Sequence, residues 1–291
     1  MSLKRKGTME DIFQSRSIKF FVGTEGKEFS VHEASLGAVS GPLKALLSGG
    51  MKESLEGIVV WDDTESSTFL GLVEFAYTGD YSVPDLRQTD EPRPKHVTMA
   101  SFSKKDQQDD PGVHFPSMLS EMNSDRSAGA YVTITDTRLK FCEKHFDEGR
   151  ENPHENLPFA RDMEKNDRTG YHGVFMHHAK LYVLADKYVA VTLKSLCLQR
   201  VRVSLRNVPG SPEFVDVLRD LVVYVYDNTT ASDELRRLLV RYCVARVFWF
   251  KVCGFLQRMR KELPEFMADV LLEFTPSLWF ELDNCMCGTY N

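Results

Sequence analysis

The stretch KEFSVHEASLGAVSGPLKALLSGGMKESLEGIVVWDDTESSTFLGLVEFAYTGDY, Lys27 to Tyr81, decides the fold. Lys27 to Val31 alternates polar and apolar residues, the period of a half-buried strand. From Leu36 the apolar residues recur at Val39, Leu43, Leu46 and Leu47, which is helical spacing. Ser40 is placed to cap the second of two short helices, and Pro42 falls in its first turn, where a missing N–H costs nothing. Gly49 and Gly50 end that helix. Ile58 to Trp61 is a dense apolar run between Gly57 and Asp62 and predicts a buried strand. Thr64 is the expected cap of a third helix, with inner face Phe69, Leu72, Val73, Ala76 and Tyr77 and a stop at Gly79.

These residues resemble the BTB (POZ) domain. The resemblance is carried by Phe29 and His32 entering the first helix, by Ser40, by Met51-Lys52-Glu53-Ser54, and by Phe75 with Tyr77-Thr78-Gly79. It implies an α+β fold, a small mixed sheet flanked by helices. It also implies a role in dimerisation or partner docking, with neither a catalytic site nor a cofactor.

Outward from this block, Ile18 to Val22 reads as the first strand, and Gly23 to Gly26 as the hairpin loop into Lys27. Met9 to Arg16 reads as a leader helix with Ile12 and Phe13 available to pack. After Tyr81, prolines punctuate a polar stretch to about residue 170, and the composition predicts an insertion without fixed structure. Two islands inside it carry order signals: Tyr131 to Thr135 alternates, and Leu139, Cys142 and Phe146 share a helix face. Helical patterning resumes at Val174, and the run His178 to Tyr188 resembles the helix pair that closes a BTB domain, in the form common among filamentous fungi. The expected organisation is therefore a leader over 1–15, sheet and first helices over 16–83, an insertion over 84–172, closing helices over 173–206 and a helical extension over 207–291. So long an insertion is tolerable because loop-closure cost grows only logarithmically with length.

In the extension, Ser211 is the expected cap of a helix with a buried stripe of Phe214, Val217, Leu218, Leu221, Val222 and Val225. A loop over Asp227 to Ala231 leads to a helix begun by Ser232 or Asp233, with Leu235, Leu238, Leu239, Tyr242, Val247 and Phe250 inward. A last helix runs from Pro264 to Pro276.

Composition narrows the function classes. The 291 residues are 42% hydrophobic and 27% charged, ordinary for a globular chain, and carry a net charge of −6. That balance argues against a general nucleic-acid binder, so nucleic acid is not an expected partner. Arg236, Arg237, Arg241, Arg246, Arg258, Arg260 and Lys261 crowd the C-terminal helices and read as a solvated surface, with a nucleic-acid face as the competing reading. No apolar run approaches the ~20 residues of a membrane span, and the N-terminal residues do not resemble a secretory signal. The six cysteines form no disulfide framework, so reduced thiols and a cytoplasmic or nuclear location are expected.

The metal-ligating and nucleophilic residues form no recognised catalytic or metal-binding constellation. Cys142, His145, His172, His177 and His178 match no zinc spacing; His178 reads as core and the others as solvated. Cys285-Met286-Cys287 reads as a frayed tail. With no phosphate loop, dinucleotide fingerprint or nucleophile elbow, a non-catalytic protein is expected, with no cofactor and no metal.

The remaining expectation is a protein partner. The resemblance implies dimerisation through the leader helix and first strand, although Ser17 and Val39 stand where many members place a charged pair. It also allows adaptor work on a cullin scaffold, although Leu46-Leu47-Ser48 lacks the glutamate of the adaptor motif. The expected partner-binding surface is Ile12, Phe13, Ile18, Phe20, Leu46, Leu47, Met51 and Tyr81.

Overall fold

β1 (Ser17–Val22) sends Ile18, Phe20 and Val22 to the inside and Ser17 and Lys19 to the outside, the alternation its sequence requires. Gly23 and Gly26, at φ 75° and 60°, reverse the chain into β2 (Lys27–His32), which pairs antiparallel with β1 from Ser17↔His32 to Val22↔Lys27. β3 (Ile58–Trp61) joins the other side of β1 in parallel, giving the order β2-β1-β3. The computed structural model describes residues 9–50, 52–84, 115–118, 136–146, 171–210 and 212–280. The chain divides into two compact units, Met1–Pro84 with Met176–Gln199, and Asp85–Phe175 with Arg200–Asn291.

In the first unit, α1 (Met9–Gln14) precedes the sheet, and α2 (Glu33–Gly37), α3 (Gly41–Ser48) and α4 (Lys52–Glu56) connect β2 to β3. Ser40 caps α3 as expected, accepting from the Leu43 N–H at 3.2 Å. The short turn of α4 was not foreseen. α5 (Ser66–Thr78) ends at Gly79 with φ 80°, the left-handed stop anticipated for it. Its start differs from expectation. Glu65 holds the cap position, and the Thr64 hydroxyl donates to the Asp63 carboxylate instead of receiving a helix N–H. Its buried face also turns slightly, taking in Phe75 while Val73 and Tyr77 are only half-buried.

β3 is a strand, but it is not buried on both faces. Val59 and Trp61 point inward, whereas Ile58 and Val60 are 38% and 64% exposed. The cause is its place in the sheet: among the described residues no strand lies beyond this edge, and four consecutive apolar residues conceal the period-two pattern.

α7 (Tyr171–Lys187) and α8 (Val191–Asn207) enter the first unit over Met176–Gln199, with α6 being Asp136–Phe146 of the second. The turn between them is a Schellman motif, with Ala190 N–H on the Ala185 carbonyl and Val189 N–H on the Asp186 carbonyl. Its left-handed position is held by Val189, at φ 54°, a conformation β-branched residues avoid. Val189 is 58% exposed and contributes little to packing. Val189→Gly relieves about 1–2 kcal/mol of strain and gives back part of it as chain entropy. The expected result is a net gain of about 0.5–1 kcal/mol, read as a higher Tm in thermal unfolding; a lower Tm contradicts it.

In the second unit, β4 (Phe115–Ser117) pairs antiparallel with β5 (Pro209–Gly210), an unforeseen contact. α6 carries the predicted buried Cys142 and Phe146, with Leu139 half-buried. The rest of the expected insertion, including Tyr131 to Thr135, lies outside the described residues, as do Ser211 and the Cys285-Met286-Cys287 tail. α9 (Pro212–Asn228) buries the whole predicted stripe. Asp233 caps α10 (Glu234–Ala245) through the Leu235 N–H at 2.8 Å. The single long helix expected there breaks at Arg246, and α11 (Val247–Val252), α12 (Phe255–Glu262) and α13 (Pro264–Glu273) follow. Beyond the break, Trp249 of α11 stacks on Phe214 of α9 with ring centroids 6.0 Å apart. Pro276 starts a further helical turn over 276–280 instead of only ending α13.

Of the basic residues expected to form a solvated surface, Arg237, Arg258, Arg260 and Lys261 are exposed and Arg241 is half-buried, but Arg236 and Arg246 are buried. Arg236 is 6% exposed, donates to the Tyr226 and Thr229 carbonyls and pairs with Glu265 at 2.7 Å, and Arg246 is 1% exposed. Arg241 and Arg258 are tied to Glu273 and Asp216. At Arg236, main-chain carbonyls and the Glu265 carboxylate offset the desolvation that burial of a guanidinium demands.

Candidate interaction surface

Of the expected surface residues, the packed core claims most for itself. Ile18 and Phe20 are fully buried because β1 is the central strand and they lie on its inner face. Leu47 is also fully buried, on the inner side of α3, and Ile12 and Tyr81 are 4% and 3% exposed. These five are core residues and offer no surface to a partner. Leu46 is half-buried on α3, and Met51 lies outside the described residues. Among the seven described residues, Phe13 alone stands well exposed, at 60%.

Phe13 is held in position although it faces solvent. Its ring meets His32 edge-on at 5.4 Å. The Tyr77 hydroxyl, 2.7 Å from His32 Nδ1, accepts the His32 backbone N–H at 3.0 Å. The start of α2 and the end of α5 are thereby joined behind the exposed ring. Arg16, just after α1, donates to the Ser54 and Leu47 carbonyls at 2.6 and 2.9 Å and pairs with Glu33. One guanidinium thus fixes α1 against α2, α3 and α4. Sequence reasoning missed Arg16 because its partners lie 17 to 38 residues away, beyond any local pattern. Met9, 46% exposed on the same helix, extends the apolar surface.

The segment entering from α7 is bound tightly to this body. Tyr188 stacks on Trp61 with centroids 4.6 Å apart, and burial, with the nearby Asp63 charge, pushes its phenol up to about 12. Lys187 pairs with Asp63 at 2.7 Å and holds that carboxyl below its usual range, and Lys180 pairs with Glu65. His178, fully buried as expected, lies with Nδ1 2.8 Å from the Tyr81 hydroxyl. His177 is also buried, at 8%, where solvation was expected. It lies over Gly71 of α5, where an added Cβ would come within 3.2 Å of both His177 Nε2 and a Leu181 methyl. Among the described residues no group of His, Cys, Asp or Glu is arranged to hold a metal ion, and no helix is long and apolar enough to cross a membrane.

Comparison with known protein families bears on this geometry. Residues 15–93 match the BTB/POZ domain. The match takes in the three-stranded sheet and α2 to α5 and stops short of α7. The chain thus carries a BTB/POZ domain, a protein–protein interaction module, followed by an all-helical C-terminal region. No curated protein matches the chain.

Proposed function

We propose that the first unit is a non-catalytic module that binds another protein, a second copy of this chain included, through the α1 face centred on Phe13. The observation that supports this most is a large aromatic ring, 60% exposed on a helix fixed by Arg16, within a domain of the interaction class. Burying such a ring at an interface yields the aromatic anchor typical of binding hot spots. In the same reading, the α7 and α8 segments complete the BTB domain in the manner of the filamentous-fungal proteins. A cytoplasmic or nuclear location accompanies it.

The two alternatives draw less support. At the adaptor position Ser48 is uncharged and donates to the Lys44 carbonyl of its own helix, so a cullin scaffold would meet no carboxylate there. Of the arginines that suggested nucleic acid, Arg236, Arg241 and Arg258 are engaged by Glu265, Glu273, Asp216 and Glu262.

The test is Phe13→Asp in the full chain. The solution mass and the proteins retained by affinity capture are compared with wild type. The expected result is at least a tenfold loss of self-association or capture with an unchanged Tm. Retention equal to wild type contradicts the reading.

A further inference from the structure

The edge of β3 is built like a docking strand. Lys19 N–H donates to the Gly57 carbonyl and Gly23 N–H to the Trp61 carbonyl, each at 2.9 Å. In a parallel ladder the residues of a strand alternate in the side to which they bond. Gly57, Val59 and Trp61 therefore turn their peptide groups to β1, and Ile58 and Val60 turn theirs to the open edge. The same two residues place their side chains on the exposed outer face, where Val60 lies beside the half-buried Phe21. Among the described residues no strand lies beyond β3. Natural edge strands are commonly protected by lysine, proline or a bulge, and Ile58 to Trp61 has none of these.

Charge decides what fits. Glu56 and Asp62 stand exposed at the two ends of the strand. Asp63 and Glu65 just beyond are already engaged by Lys187 and Lys180. A second copy pairing antiparallel, with Ile58 facing Val60, would bring the Glu56 end of each chain to the Asp62 end of the other. Like charges so opposed disfavour that pairing. A segment with basic ends meets attraction at both.

We propose that the open edge of β3 takes up, as an added strand, an extended segment of another protein with apolar residues at alternate positions and a lysine or arginine beyond each end. Main-chain bonds to Ile58 and Val60 hold it, the outer-face side chains select alternate apolar residues, and Glu56 and Asp62 select the flanking charge. This site is separate from the α1 face.

The experiment follows amide hydrogen exchange of the full chain with the peptide Lys-Thr-Val-Thr-Ile-Thr-Lys, acetylated and amidated, and with its counterpart carrying glutamate at both ends. The lysine peptide is expected to slow exchange at Ile58 and Val60 at least tenfold at saturation, less so at high salt. The glutamate peptide is expected to have no effect. Val60→Pro removes one outward N–H at a position where proline is tolerated, and should abolish the response while leaving the Tm unchanged. Phe13→Asp should leave the response intact, so this site and the α1 face can fail separately. The proposal is overturned if the lysine peptide gives no protection, if both peptides protect equally, or if Val60→Pro responds like wild type. It is also overturned if Ile58 and Val60 are already protected in the free chain in a concentration-dependent way, which would make a second copy the occupant.

Discussion

Phe69→Ala is expected to destabilise the first unit by about 3–5 kcal/mol, the range for removing a fully buried phenylalanine. Phe69 is completely buried on α5, and its ring touches one aromatic residue from each strand of the sheet. Phe20 of β1 lies at 4.9 Å, Phe29 of β2 at 5.2 Å and Trp61 of β3 at 5.7 Å. Truncation leaves a cavity against a sheet whose pairing prevents collapse, so the loss exceeds simple transfer of the ring to water. Urea unfolding followed through the exchange of α5 amides gives the value; a loss under about 1 kcal/mol would show that α5 does not hold the sheet as described.

Gly71→Leu is expected to cost about 3 kcal/mol, at the upper end for overpacking. An added Cβ would already lie 3.2 Å from His177 Nε2 and from Leu181 Cδ2, and three further carbons have no space between α5 and α7. Gly71→Ala separates this steric effect from backbone entropy. A shift of a few tenths of an ångström admits its methyl group, and alanine's better helix propensity offsets the crowding by roughly 1 kcal/mol. The alanine variant should therefore unfold within about 1 kcal/mol of wild type. Equal melting of the leucine variant and wild type would mean that α5 and α7 do not pack closely at this point.

The features legible in the sequence were those decided by residues close in the chain. The β1–β2 hairpin follows from alternation and two glycines, the α3 cap from Ser40, the α5 stop from Gly79, and the α10 start from Asp233. Long-range pairing hid the rest. Ile58-Val59-Val60-Trp61 has no polar residue to mark its outer side, so only the sheet order shows that two of its side chains face out. Arg236 looks solvated in sequence and becomes buried because carbonyls at Tyr226 and Thr229 turn towards it. The candidate surface suffered in the same way. Ile18, Phe20 and Leu47 are as apolar as Phe13, and only the packed fold assigns the first three to the interior and leaves Phe13 outside.

The central claim is that residues 9–84 and 176–199, separated by a long stretch of chain, form one cooperative body that presents the interaction surface. Native-state hydrogen exchange of the full chain, in wild type and Phe69→Ala, tests it most directly. If the claim holds, the α5 amides and those from Leu181 to Lys187 open with the same free energy, and Phe69→Ala lowers both by the same amount. If the α7 amides keep their wild-type opening energy while those of α5 fall, the two segments are not one body and the claim is contradicted.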